Sequence, residues 1–158
     1  MKTAPRPKKK ILIVDDHPIM RQGLAMLINH QADFTVCGEA EDAHTALDVI
    51  AATNPDLAIV DLSLKTRSGF ELIKDIKVLH PGLAMLVLSM HDESIYAERV
   101  LRAGARGYLM KQEGAEKVTA AIRHILAGRC TSATKWPRKF YKALPAGGRA
   151  TATRLWPG

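Results

Sequence analysis

Ile11-Leu12-Ile13-Val14-Asp15-Asp16-His17-Pro18 is the stretch that decides how this chain is read. Four apolar residues without a polar alternate read as a short strand buried on both faces. A doublet of carboxylates ends the run. Pro18 follows, a residue that suits the first turn of a helix. Met20, Leu24, Leu27 and Ile28 then recur at helical spacing. A strand, an acidic end and an amphipathic helix form one unit.

The unit repeats. Residues 34–40 read as a second strand, and Asp42 caps a helix carrying Ala43, Ala46, Leu47 and Ile50, broken at Asn54-Pro55. A third strand over 57–60 ends in Asp61. A polar loop leads to Gly69 and a helix with Phe70, Ile73 and Ile76. After the turn at His80-Pro81-Gly82, residues 83–88 form a fourth strand ending in Ser89, and 92–103 a fourth helix closed by Gly104. Residues 107–110 are a short fifth strand ending in Lys111. Val118, Ala121, Ile122, Ile125 and Leu126 make the stripe of a fifth helix, stopped by Gly128. Such alternation predicts an α/β fold with a five-stranded parallel sheet covered on both faces. Crossovers are right-handed, and the common order is 2-1-3-4-5, the flavodoxin-like doubly wound arrangement. Ligands of such sheets bind at the C-terminal strand ends, beside the point where the strand order reverses.

The chain has 158 residues, 47% of them hydrophobic, 25% charged and 5% aromatic. That suffices for one core with an appendage and excludes a fully disordered chain. The longest clean apolar run, 83–88, falls far short of the ~18–20 residues of a membrane span. No apolar stretch of signal-peptide length follows the basic N-terminus. Cys37 and Cys130 form neither a metal spacing nor a disulfide framework. The expectation is a cytoplasmic protein with no membrane partner. The net charge of +7 hides a division. Residues 1–10 carry five Lys/Arg and residues 129–158 seven, neither with an acid, so the body between them is net −5. The expected organisation is a basic leader over 1–8, one domain over 9–128, and a basic tail over 129–158 without sustained periodicity. In that tail Trp136, Phe140 and Tyr141 are too few to build a second core.

In the order 2-1-3-4-5 the first and third strands are neighbours, so Asp15, Asp16 and Asp61 meet at the switch point. A like-charge pair at ~4 Å repels by about 4 kcal/mol at an effective dielectric near 20. A proton or a cation must relieve the cluster. Few oxygen ligands and an open, hydrated crevice suit Mg²⁺. Ser89 and Lys111 face the same crevice. A metal site, a hydroxyl, an ammonium and a carboxylate nucleophile fit phosphoryl transfer through an acyl phosphate. Asp61, alone on a central strand, is the better nucleophile, and the doublet Asp15-Asp16 suits the metal. Taken singly, each residue has a bland reading as a helix cap, a turn residue or a surface lysine. His17 is read as a loop histidine rather than a ligand, and Cys37 as a small core residue.

Five ordered landmarks go further: Ile-Val-Asp15-Asp16-His17-Pro18, Asp61-Leu-Ser-Leu, Gly69 beyond it, Leu-Ser89-Met, and Gly104-Ala-Arg-Gly107-Tyr108-Leu-Met-Lys111. Together they resemble a two-component response-regulator receiver domain over the whole body, and the doublet with His-Pro and the last phrase are similar to the NarL/FixJ (LuxR-type) branch. The resemblance implies that Asp61 is the phosphoacceptor, served by a sensor histidine kinase. It implies Mg²⁺ held by Asp16, Asp61 and the backbone carbonyl of Ser63, with Asp15 acting mainly through water. Lys111 would pair with Asp61 and then with its phosphate, Ser89 would bond a phosphoryl oxygen, and Tyr108 would follow Ser89 inward. Such a protein is a signalling switch, catalysing only its own phosphorylation and dephosphorylation.

Two departures stand beside the site. Lys65, with Thr66 and Arg67, occupies a loop where proline is common in the family, and Gln112 follows Lys111 where many receivers have proline. A larger one is downstream: nothing in 129–158 resembles the branch's helix-turn-helix domain. The tail reads as an altered or out-of-frame C-terminus, with a natural single-domain receiver as the alternative. DNA would then be a partner only through an output domain absent here, and homodimerisation is left open. Two rival functions remain. An aspartyl-phosphate hydrolase resembling the haloacid-dehalogenase enzymes needs a second Asp two residues past the nucleophile, where Ser63 stands. A nucleic-acid-binding protein using its basic ends shows no recognition element.

Overall fold

The computed structural model describes residues 7–64, 68–90, 93–111 and 114–128. Ten elements alternate: β1 (Lys9–Val14), α1 (Pro18–Asn29), β2 (Phe34–Ala40), α2 (Ala43–Thr53), β3 (Leu57–Asp61), α3 (Gly69–Leu79), β4 (Ala84–Ser89), α4 (Glu93–Ala103), β5 (Gly107–Met110) and α5 (Ala115–Leu126). The five strands form one parallel sheet in the order β2-β1-β3-β4-β5, as the alternation predicts. Helix α1 packs on β1 and β2 and helix α5 on β4 and β5, while α3 contacts both α2 and α4. The three central strands are buried on both faces, which is why Ile11–Val14, Leu57–Val60 and Met85–Leu88 read as unbroken apolar runs.

Local chemistry sets the element ends. Pro18 opens α1. The Asp42 side chain accepts from Thr45 N at 2.8 Å and starts α2, and Ser68 does the same for α3 through Glu71 N at 3.3 Å. Asn54 ends α2 in the left-handed region, with φ of 49°, and Pro55 prevents continuation.

Two strand starts and one register differ from the sequence reading. Strand β1 begins at Lys9, two residues before the apolar run, because pairing is a backbone property: Lys9 and Lys10 lie opposite Phe34 and Thr35. Lys10 N also donates to Asp56 Oδ2 at 2.8 Å. Strand β4 starts at Ala84 rather than Leu83. Between Ile11 and Leu12 the register of β2 slips, so that Cys37 is an extra, half-buried residue between Val36 and Gly38. A Cβ on Gly38 would stand 2.5 Å from Val49 Cγ1, so α2 packs against bare backbone there. Lys65, Thr66, Arg67, Gln112 and the 129–158 tail, with Cys130, Trp136, Phe140 and Tyr141, lie outside the described residues.

Candidate functional site

Strands β1, β3, β4 and β5 end in Val14, Asp61, Ser89 and Met110, so Asp15, Asp16, Asp61, Ser89 and Lys111 come out on one rim of the sheet. Register fixes the alignment: Val14 pairs with Val60, Asp61 with Leu88, and Ser89 with Met110. Parallel strands in register deliver their next residues to one place. Asp15, Asp16, Asp61 and Ser89 are all buried polar residues, Asp61 at only 1% exposure.

The Lys111 ammonium sits between carboxylates, 3.0 Å from Asp15 Oδ2 and 3.2 Å from Asp61 Oδ2. Its backbone N–H donates to the Ser89 carbonyl at 2.7 Å, which anchors the lysine to the end of β4. Ser63 N–H donates to Asp61 Oδ1 at 3.1 Å. Asp61 is thus held at both oxygens and has one orientation. Gly69 presses on the same turn: a Cβ there would lie 2.5 Å from the Asp61 carbonyl oxygen and 2.7 Å from Leu62 Cα. Tyr108 is fully buried beside Val87, two residues before the end of β4.

Burial dominates the electrostatics. It pushes the Asp61 carboxyl above the ordinary aspartate value, and the neighbouring Asp15 charge adds to the rise. The Ser63 N–H and Lys111 oppose it without cancelling it. Asp16 Oδ1 is buried with no hydrogen-bond partner. Asp15, Asp16, His17 and Asp61 offer donor atoms that all lie within 4.8 Å of one another. Three carboxylates, one of them with an orphaned oxygen, face one ammonium, and that donor set fits a divalent cation.

Two residues were missed in the sequence. His17, in the turn between β1 and α1, places its Nδ1 2.8 Å from Asp15 Oδ1 and 2.9 Å from Asp16 Oδ1, beside the carboxylate cluster. Arg21 donates to the Asp15 carbonyl at 2.6 Å and reaches Glu39 at 3.4 Å, fixing the turn after β1. The Asp-Asp-His-Pro run was a signal for the first. For Arg21 the only signal was its place on α1 one turn past Pro18.

Comparison with known proteins decides the family. The response regulator receiver domain model matches residues 11–123. The chain belongs to the response-regulator receiver family. The transcriptional regulatory protein DegU of Brevibacillus brevis is 32% identical to this receiver over 121 residues, 77% of this chain and 51% of that protein. A putative transcriptional regulator of Pseudomonas aeruginosa is 38% identical over 119 residues, 75% of this chain and 57% of that one. The chain spans about half the length of the curated relatives it matches. The crystal structure of a LuxR-family two-component response regulator from an Aurantimonas species superposes with a TM-score of 0.79 at 32% identity, covering 86% of this chain and 97% of that one. The receiver fold of flavodoxin-like topology is therefore shared. Among the described residues of this receiver, no helix is long and apolar enough to cross a membrane.

Proposed function

We propose that this receiver takes a phosphoryl group onto Asp61 from a sensor histidine kinase, in a Mg²⁺-dependent step that its own residues catalyse. The observation that carries the reading is the Asp61 carboxylate, buried in an acidic cluster and held between Ser63 N–H and the Lys111 ammonium. Asp16, Asp61 and the Ser63 carbonyl would hold Mg²⁺, with Asp15 reached through water, and the ion would offset carboxylate and phosphoryl charge. A carboxylate oxygen of Asp61 forms the new P–O bond while the P–N bond to the kinase histidine breaks, and the released imidazole takes up a proton.

The phosphate adds roughly −1.5 to −2 charges at the rim. Lys111 then shifts its contact from the carboxylate to a phosphoryl oxygen. The Ser89 hydroxyl donates to another, and Tyr108 follows Ser89, altering the face of α4, β5 and α5. A local charge event thus biases a surface with two arrangements. On this reading residues 9–128 are the working receiver, cytoplasmic, with the leader 1–8 and the tail 129–158 outside it. Control of transcription would pass through an output domain that binds DNA, with or without homodimerisation.

The test is incubation with acetyl phosphate and Mg²⁺, read as a phosphate-mass gain by intact mass spectrometry. Asp61→Asn abolishes the gain. An equal gain in that variant overturns the acceptor assignment.

A further inference from the structure

Among the described residues of the rim, the His17 imidazole is a group that phosphoryl transfer does not use. Its Nδ1 lies 2.8 Å from Asp15 Oδ1, 2.9 Å from Asp16 Oδ1 and 3.7 Å from Asp61 Oδ2. Nδ1 carries at most one proton. Given to Asp15 Oδ1, that proton leaves Asp16 Oδ1 buried without a hydrogen bond, as observed. Asp15 Oδ1 does not need it, because the His17 backbone N–H already donates there at 2.8 Å.

The spacing has another reading. Donors about 2.1 Å from one ion lie about 3.0 Å apart on an octahedral edge and about 4.2 Å across it. The 2.9 Å between Nδ1 and Asp16 Oδ1 fits such an edge. Asp15, Asp16, Asp61 and His17 place their donors within 4.8 Å of one another, slightly wider than the about 4.2 Å across such a shell. The His17 side chain is 60% exposed, so its far nitrogen can keep its proton toward water while Nδ1 turns a lone pair inward.

We infer that His17 Nδ1 is a metal ligand, making this rim a mixed nitrogen and oxygen site that selects first-row transition dications over Mg²⁺. The inference rests on the phosphoacceptor reading only in placing a cation among these carboxylates. Mg²⁺ takes oxygen and gains little from an imidazole, whereas Mn²⁺ through Ni²⁺ gain increasingly from nitrogen. His17 therefore sets which ion occupies the site, and Asp16 and Asp61 set that an ion does.

The test uses the full chain and direct binding. Mg²⁺ and Ni²⁺ are titrated calorimetrically against the protein, His17→Gln and His17→Ala, with Asp61→Asn marking ions bound elsewhere. Pulsed EPR of bound Mn²⁺ reads nitrogen ligation. Both His17 variants are expected to weaken Ni²⁺ about tenfold or more and to leave Mg²⁺ within about twofold. The ¹⁴N modulation of the Mn²⁺ echo disappears with them. An unchanged ratio of Ni²⁺ to Mg²⁺ affinity, or ¹⁴N modulation that persists in both variants, overturns the nitrogen ligand while leaving the phosphoacceptor reading intact. Failure of the unaltered protein to bind any of the three ions would sink the metal site itself, and with it both readings.

Discussion

Two charge clusters sit at opposite ends of the same sheet. At the C-terminal rim Lys111 lies 3.0 and 3.2 Å from Asp15 and Asp61, with these side chains at most 5% exposed. At the other end Arg123 of α5 reaches Asp33, just before β2, through two nitrogens at 3.0 Å each, and Gln31 at 2.7 Å. Those side chains are about half exposed, at 45% for Arg123 and 51% for Asp33. The distances match and the consequences do not. Burial raises the Asp61 carboxyl above its ordinary range, whereas Arg123 holds the Asp33 carboxyl below its own. Solvent decides which: an exposed pair is a weak clamp, and a buried surplus of carboxylates is unfavourable until something positive arrives.

The largest effect expected from that contrast is at Lys111. Lys111→Met removes the one ammonium seen against Asp15 and Asp61 and the donor that would meet the phosphoryl group. Uptake of phosphate from acetyl phosphate should fall about 100-fold, the usual loss for one preorganised charged donor. Mg²⁺ still binds, because the carboxylates remain. Uptake within a factor of about three of the unaltered protein would mean the rim does not need its cation.

Next comes the turn that aims Asp61. Gly69→Ala puts a Cβ against backbone atoms at 2.5 and 2.7 Å, which cannot move as a flexible side chain would. The cost should be about 2 kcal/mol by urea unfolding, with slower phosphorylation, since the Ser63 N–H rides on the same turn. Gly23→Ala in α1 is the control. Nothing lies within 4 Å of its added Cβ, so a gain of about 0.5–1 kcal/mol is expected from helix propensity alone.

The rim was more legible than its supports. Asp15, Asp61, Ser89 and Lys111 are read from sequence because each ends, or directly follows, an apolar run, and parallel order then assembles them. What the residues do there is not legible from position alone. Lys9 and Lys10 gave no apolar signal for a strand that pairs through backbone. The bulge at Cys37 adjoins Gly38, where α2 packs against bare backbone, and neither feature leaves a periodicity in the sequence. His17 looked like loop punctuation because its approach to Asp16 depends on the turn that Arg21 ties to the Asp15 carbonyl. In each case the missing information was the path of the backbone between elements.

A smaller effect tests the sign of the rim's energy. Burial and the Asp15 charge raise the Asp61 carboxyl, so its charged form opposes folding at neutral pH in metal-free protein. Its stabilising contribution is present below the ordinary aspartate range and lost as pH rises through the raised folded value. Asp61→Asn, measured in chelator at neutral pH, should stabilise by about 1 kcal/mol. The gain should shrink on acidification, as the unaltered protein takes up its proton. A loss of stability at neutral pH would show Lys111 overcompensating the burial, and would erase the difference between the two ends.

The smallest effect belongs to the exposed clamp, and it runs the other way with pH. Asp33 is lowered, chiefly by its hydrogen bond to Arg123, so the stability it contributes is present above its ordinary range and lost as pH falls through the folded value. Solvent screening keeps that contribution to about 0.5 kcal/mol. Arg123 does a second thing: its guanidinium lies 5.0 Å from the centre of the Phe34 ring. Arg123→Ala should therefore cost about 1 kcal/mol, more than Asp33→Asn. In about 1 M NaCl the Debye length falls to about 3 Å, and the Asp33→Asn cost should vanish while part of the Arg123→Ala cost survives. Urea unfolding at low and high salt separates the two. An Arg123→Ala cost as large as that of Gly69→Ala would mean the exposed end bears as much of the fold as the buried one.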